Sequence, residues 1–148
     1  MHTDAQKIAA APATQMQMTY IEALVQAQFE EMDRDDRVVL LGEDVPIYGG
    51  LKIIEKFGKN RVWNSPISEG SFTGLGIGAA INGLRPIVDL TIASFVYLAS
   101  DQIINQAAKL QYMTGGQIDI PIVIRRSGRP RNRKTSAMSS GRDATKRP

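Results

Sequence analysis

Residues 64–83 read Asn-Ser-Pro-Ile-Ser-Glu-Gly-Ser-Phe-Thr-Gly-Leu-Gly-Ile-Gly-Ala-Ala-Ile-Asn-Gly, and the rest of the chain is arranged around them. A short turn ends in one carboxylate, Glu69, and the uncharged residues after it are mostly Gly, Ala and aliphatic. An acid at the mouth of an apolar helix is desolvated, and desolvation raises the pKa of a carboxyl group. Glu69 is therefore a candidate for sharing a proton with a ligand nitrogen. The alternative is an ordinary acid at a helix N-terminus, stabilised by the helix dipole.

A glycine stripe follows Glu69 along the predicted helix 69–83. Gly70, Gly74 and Gly78 are four residues apart and so share one helix face. Because glycine is a poor helix former, this stripe suggests that another backbone packs very close to it. A helix of a second subunit or an internal strand would each be a suitable partner.

The segments on either side of this stretch alternate between strand and helix patterns. Short apolar runs next to charged or glycine-containing turns favour strands buried on both faces, and their alternation with helices indicates an α/β fold with a mainly parallel sheet. Glu43 directly follows one such strand, at the edge where ligands gather in open α/β sheets, so it is either a ligand contact or a solvated loop acid. The predicted helices are 19–32, 51–57, 69–83 and 95–112, and the predicted strands are 38–41, 61–63, 87–92 and 118–124.

Composition excludes several kinds of chemistry. The chain has no cysteine, and its one histidine is His2, so thiolate sites, His metal clusters and a His base in the body of the chain are excluded. We expect no metal site and no membrane association, since no apolar run approaches the roughly 20 residues that cross a bilayer.

Charge and composition divide the 148 residues into three parts. We expect a flexible leader over residues 1–17, one α/β domain over 18–126 and a disordered tail over 127–148. Residues 125–148 hold nine basic residues and one acid, whereas the first 124 residues hold nine basic and 14 acidic residues. The tail lacks aromatic residues that could stack on bases, so an unstructured extension is favoured over nucleic-acid binding. The leader lacks the pattern of a secretion signal or transit peptide, which favours a cytoplasmic protein.

Five segments together carry a family resemblance. In order along the chain they are Val-Leu-Leu-Gly-Glu-Asp-Val (39–45), Pro-Ile-Ser-Glu (66–69), Gly-Ile-Gly-Ala-Ala (76–80), Gly-Leu-Arg-Pro-Ile (83–87) and Asp-Gln-Ile-Ile-Asn-Gln-Ala-Ala-Lys (101–109). The set resembles the beta subunit of thiamine-diphosphate-dependent 2-oxoacid dehydrogenases of the pyruvate, branched-chain or acetoin type. The likeness covers residues 18–126 and implies the first part of a transketolase-like pyrimidine-binding domain.

The resemblance implies a role for Glu69. The matching glutamate hydrogen-bonds a ring nitrogen of the cofactor's aminopyrimidine, which favours the tautomer that takes a proton from the thiazolium carbon. Phe95 matches the aromatic position that packs on the pyrimidine ring, while Ile67, Thr91 and Glu43 match neighbouring wall positions. The implied partners are an alpha subunit that holds the diphosphate and magnesium, a second beta subunit and a lipoyl acyltransferase. For a eukaryotic protein the implied compartment is the mitochondrial matrix.

The chain departs from the family pattern after Arg126. The family continues with a Gly-rich segment and a His-Ser-Gln motif, and neither follows here. We therefore expect a truncated or frame-shifted chain that is inactive by itself. The alternative functions are a non-catalytic interaction module or a pseudo-enzyme that only docks a partner subunit.

Overall fold

A four-stranded parallel sheet forms the centre of the fold. The computed structural model describes residues 18–127. The strand order is β2-β1-β3-β4, and every neighbouring pair is parallel. The predicted α/β class with a parallel sheet is thereby confirmed. The strands are β1 (Val38–Glu43), β2 (Val62–Ser65), β3 (Arg85–Ile92) and β4 (Val123–Ser127).

Helices cover both faces of this sheet. The first helix begins with a capping box: the Glu22 backbone N–H donates to Thr19 Oγ1 at 3.2 Å, and the Thr19 N–H donates to Glu22 Oε2 at 2.7 Å. These bonds satisfy donors that a helix start otherwise leaves unpaired. The α-helices are α1 (Tyr20–Arg34), α2 (Leu51–Phe57), α3 (Glu69–Ile81) and α4 (Leu110–Met113), with a π-helical turn at Pro46–Gly50.

Two apolar clusters, one on each side of the sheet, form the core. Successive side chains of a strand point to opposite faces, so Leu40 packs in the cluster that includes Met32 of α1 and Ile53 of α2. Leu41 lies in the other cluster with Phe72 of α3. Every residue of β1 is buried, as a strand covered on both faces requires.

Among the described residues no strand packs along the glycine stripe of α3, and its contact with a second subunit stays a prediction. The closest approach is at Gly76, outside the stripe, where an added Cβ would lie 2.6 Å from Val88 Cγ2 of β3. At Gly74 a Cβ would lie 3.2 Å from Gln102 Oε1, while at Gly78 it would meet nothing within 4 Å. Within the described residues the stripe therefore faces no single close backbone, because the helix presses on the sheet through its Gly76 side.

Two predicted elements need correction. The continuous helix 95–112 is wrong: a 3₁₀ helix (Ala93–Tyr97), a π-helical turn (Gln102–Ala107) and α4 take its place. In the π-helical turn the Ala108 N–H donates to the Ile103 carbonyl, five residues back, which widens the helix. The strand predicted at 118–124 begins only at Val123, because Pro121 has no N–H to donate to a strand ladder. The proposed leader 1–17 lies outside the described residues, as does the tail apart from Ser127.

Candidate active site at the carboxyl ends of the strands

Buried acids gather at the carboxyl ends of the parallel strands. Glu43 ends β1 and is 4% exposed, Glu69 begins α3 and is 6% exposed, and Asp89 in β3 is 5% exposed. The strand registers place Gly42 beside Asp89 and Glu43 beside Ser65 of β2. This is the edge at which open α/β sheets bind ligands.

Glu43 is the least compensated of these acids. Burial raises the pKa of its carboxyl group, and the nearby charges of Glu69, Asp44 and Asp89 raise that pKa further. Its Oε2 atom is buried and has no hydrogen-bond partner in residues 18–127. A buried oxygen without a partner is uncommon, and it suits a ligand that brings a hydrogen-bond donor.

Gly42 allows the two central strands to lie close together beside these acids. A Cβ at this position would lie 2.5 Å from the Asp89 carbonyl oxygen, closer than side chains tolerate. A glycine is therefore required at the point where β1 brings Glu43 toward Asp89.

Glu69 lies where the sequence analysis predicted, at the start of α3 and out of water. The turn after Ser65 leads directly into this helix, whose first bonds run from the Ser71 and Phe72 N–H groups to the Ser68 carbonyl. Ser68 Oγ contacts Ser71 Oγ at 2.7 Å. In contrast to Glu69, Ile67 in the preceding turn is 74% exposed, so the described residues do not enclose this proposed wall position.

Thr91 and Phe95 lie on the chain that leaves β3. Thr91 is 3% exposed and has a φ of +56°, a left-handed conformation that β-branched residues rarely adopt. The chain then enters the 3₁₀ helix, on which Phe95 is half-buried. A Cβ at Gly70 would lie 3.4 Å from the Leu98 carbonyl oxygen, so this segment passes beside the first turn of α3 and hence near Glu69.

Asp89 and Arg125 were not among the site residues predicted from the sequence. The structure joins them in an ion pair, with 2.6 Å between Asp89 Oδ2 and Arg125 Nη2 and with both side chains largely buried. The signal in the sequence was an acid inside an otherwise apolar strand, since charged residues are rarely fully buried without a partner.

The amino ends of the strands, away from these acids, border a cavity. Its volume is about 310 Å³, and it lies between Val38, Arg85 and residues 120–123.

Within residues 18–127 no group of three His, Cys, Asp or Glu side chains could hold a metal ion. No helix in that same range is both long and apolar enough to cross a bilayer.

The fold and the acid-lined edge define a class of domain. Residues 16–135 match the transketolase pyrimidine-binding domain, and the chain belongs to that family. Its relatives identify the branch: the chain is 49% identical over 115 residues to the pyruvate dehydrogenase E1 component subunit beta of Rickettsia bellii, covering 74% of this chain and 35% of that protein. The predicted resemblance to beta subunits of 2-oxoacid dehydrogenases is confirmed.

Pyruvate dehydrogenase E1 component beta subunits of plants are similar to this chain to nearly the same degree. Identity is 48% over 118 residues with the mitochondrial subunit beta-1 of Oryza sativa, covering 76% of this chain and 32% of that protein. It is 46% over 121 residues with the chloroplastic subunit beta-2 of Arabidopsis thaliana, covering 78% and 30%. The chain thus spans about one third of the length of the curated relatives it matches.

Proposed function

We propose that this chain supplies the pyrimidine side of a thiamine diphosphate site in a 2-oxoacid dehydrogenase. The reaction is oxidative decarboxylation of a 2-oxoacid with acyl transfer to a lipoyl group. The observation that carries the proposal is the burial of Glu69 at the first turn of α3, beside a second buried acid, Glu43, at the carboxyl edge of the sheet. Membership of the transketolase pyrimidine-binding family supports it.

The chemistry of the edge fits an aminopyrimidine. Such a ring is flat, carries ring nitrogens and an exocyclic amine, and therefore needs both hydrogen-bonding carboxyl groups and an apolar face. Glu69 would bond a ring nitrogen, and the unpartnered Oε2 of Glu43 could accept from a donor on the ligand. Phe95 would pack on the ring, with Thr91 and Ile67 at the wall.

Glu69 would hold a proton at its carboxyl oxygen toward the ring nitrogen. When bound, thiamine diphosphate supplies a thiazolium carbon acidic enough to become the nucleophile toward a 2-oxoacid carbonyl. The contribution of this chain is orientation and proton sharing: burial at the first turn of α3 keeps water from Glu69, so its carboxyl group is free to bond the ring nitrogen.

The remaining parts of the site would come from partners. We propose an alpha subunit that holds the diphosphate and magnesium, a second beta subunit and a lipoyl acyltransferase component as partners. The relatives are named as beta subunits of an E1 component, which supports an assembly of this kind. We propose a cytoplasmic location, or the mitochondrial matrix in a eukaryote, and no nucleic-acid partner. The chain alone is expected to be inactive toward 2-oxoacids.

A non-catalytic docking module is the second candidate function. It is favoured by large apolar side chains that stay exposed on α3 and on the segment beside it, namely Leu75 (54%), Tyr97 (78%), Leu98 (63%) and Ile104 (57%). Exposed apolar groups in such number are typical of a surface that another protein covers. On this reading the chain would bind the alpha subunit but complete no cofactor site.

Calorimetric titration distinguishes the two functions. The full chain is mixed with an E1 alpha subunit and magnesium, then titrated with thiamine diphosphate. The cofactor function predicts tighter binding than by the alpha subunit alone, lost at least tenfold in Glu69→Gln and kept in Glu55→Gln, a matched substitution at an exposed position of α2. Complex formation without any gain in cofactor affinity would establish the docking module instead.

A further inference from the structure

A buried ion pair joins β3 to β4 beside the acid cluster. Asp89 and Arg125 are in register on neighbouring strands, and their side chains are 7% and 15% exposed. Arg125 Nη2 donates to Asp89 Oδ2 at 2.6 Å, whereas its Nε and Nη1 atoms are buried without a hydrogen-bond partner in residues 18–127. The carboxylate of Asp89 thus offsets the burial of the guanidinium.

The other carboxylate oxygen holds the backbone of the pocket wall. Asp89 Oδ1 accepts the N–H of Thr91 at 2.9 Å, as an aspartate does when it stabilises a turn two residues further on. Thr91 has the left-handed φ of +56°, and such a conformation persists only where its surroundings hold it. The carboxylate therefore connects a strained backbone position to the cation on β4.

This connection lies at the root of the segment that carries Phe95. The register between β3 and β4 shifts between Asp89 and Ile92, so the strand becomes irregular at Thr91. The chain then forms the 3₁₀ helix Ala93–Tyr97 and brings the Leu98 carbonyl beside Gly70, next to Glu69. A shift at Thr91 would move the whole segment relative to the first turn of α3.

We propose that the Asp89–Arg125 pair is a positioning pair, which fixes the backbone at Thr91 and thereby holds the 91–98 segment against the first turn of α3. Its consequence for cofactor binding rests on the proposed function. Neither residue needs to touch the cofactor. Arg125 keeps the Asp89 carboxylate oriented. That carboxylate accepts the Thr91 N–H and thereby fixes the position of the Thr91 amide.

Two measurements on the full chain assembled with an E1 alpha subunit test this pair. Hydrogen exchange reports on the amides of residues 90–98, and calorimetric titration reports the thiamine diphosphate Kd. In Asp89→Leu the Thr91 amide loses its acceptor, so exchange of these amides should accelerate at least tenfold and the Kd should rise about tenfold, the size typical of lost supporting contacts.

Rescue separates positioning from packing. Asp89→Asn combined with Arg125→Met removes both charges but keeps an acceptor oxygen for Thr91, so exchange should return toward the wild-type rate. This variant also keeps the test decisive if Asp89→Leu does not fold. Its amide exchange is then compared with that of Arg125→Met, which leaves the Asp89 carboxylate buried without its cation.

Met32→Ala, in the opposite core cluster, is the control for lost stability. It should lower the unfolding midpoint and leave the Kd unchanged.

Three results would overturn the inference: exchange of residues 90–98 at the wild-type rate in Asp89→Leu, faster exchange without a change in Kd, or an equal Kd rise in Met32→Ala. Failure of the wild-type assembly to gain cofactor affinity refutes the proposed function instead. In that case the exchange rates still decide whether the pair orders the segment.

Discussion

The two ends of the sheet differ in how their charged side chains are compensated. At the amino ends, Arg61 is 18% exposed and its Nη2 donates to the carbonyl oxygens of Met32, Asp35 and Val38 at 2.7–2.8 Å. Asp35 in turn accepts from the backbone and side chain of Arg37. At the carboxyl ends, Glu43 is buried among three other acids with an unpartnered oxygen.

This difference fits a stabilising role for the amino ends and the proposed binding role for the carboxyl ends. Paired charges and satisfied carbonyls lower the free energy of the folded state, whereas a buried acid among acids raises it. A protein keeps such an unfavourable arrangement where a ligand will compensate it, which is why perturbed acids concentrate at functional sites. Substitutions at the two ends should therefore affect different measurements.

The largest expected effect is on catalysis and comes from the carboxyl end. In a full-length E1 beta subunit in which residues 18–126 of this chain replace the matching segment, Glu69→Gln should lower kcat/KM for the 2-oxoacid by about 10²–10⁴-fold, the usual contribution of a positioned acid or base. Steady-state decarboxylation by the assembled enzyme measures it. The midpoint of thermal unfolding should stay unchanged, and near-normal turnover would refute the role of Glu69.

At the amino end, Arg61→Met should affect stability rather than activity. The substitution leaves three backbone carbonyls without this donor, so the free energy of unfolding should fall by about 3 kcal/mol. Urea denaturation of the full chain measures the loss.

Arg37→Ala is the matched control for Arg61. Its side chain is 57% exposed and its ion pair with Asp35 lies at the surface, so the loss of stability should be much smaller than in Arg61→Met. Equal costs for the two variants would contradict the view that Arg61 organises this end.

Helix α3 begins at the site and packs on the sheet. Alanine at two of its glycines should change the stability of the chain in opposite directions. Gly76→Ala should destabilise the chain by about 1–3 kcal/mol, because the added Cβ would lie 2.6 Å from Val88 Cγ2. Gly78→Ala meets nothing within 4 Å in the described structure and should stabilise the helix by up to about 1 kcal/mol. Thermal unfolding of both variants measures these changes.

Assembly gives Gly78→Ala a second readout. If the glycine stripe lies against a second beta subunit, the same variant should weaken association in analytical ultracentrifugation while stabilising the isolated chain. Unchanged association would place the subunit contact elsewhere.

The smallest expected effect is the dependence of folding stability on pH. Its sign should differ between the two ends of the sheet. Burial and neighbouring acids raise the pKa of Glu43 above 4.5, so its protonated form is favoured in the folded chain, and stability should decline as pH rises through the raised pKa. Glu43→Gln should abolish that decline and slightly raise the free energy of unfolding at neutral pH.

Asp35 provides the opposite case. Hydrogen bonds from Arg37 lower the pKa of Asp35 below 3.8, so its contribution to stability is present above that pH and is lost as the pH falls through the lowered pKa. Urea midpoints between pH 1.5 and 8 for Glu43→Gln and Asp35→Asn measure both slopes, since the Asp35 slope lies below pH 3.8. Slopes of the same sign would contradict the assignment of opposite roles to the two ends.

Local patterns predicted much of the fold. The helix that begins near Thr19 and the apolar strand β1 were predicted correctly because each depends on neighbours in sequence. The helix 95–112 was misread because its apolar spacing is helical, whereas the observed segment changes from 3₁₀ to π-helical hydrogen bonding along its length. The local pattern made Glu69 a candidate, and the family resemblance gave it a role toward the cofactor.

The sequence by itself determined the order of strands and helices, the acid at the start of α3 and the family of the domain, because periodicity and short motifs are local properties of the chain. Only the tertiary structure decided that Glu43, Glu69 and Asp89 share one edge, that Gly76 rather than the glycine stripe meets the sheet, and that Arg125 holds Asp89. These relations join residues up to 46 positions apart, as Glu43 and Asp89 are. Strand register and burial set them, and both exist only once the sheet has formed.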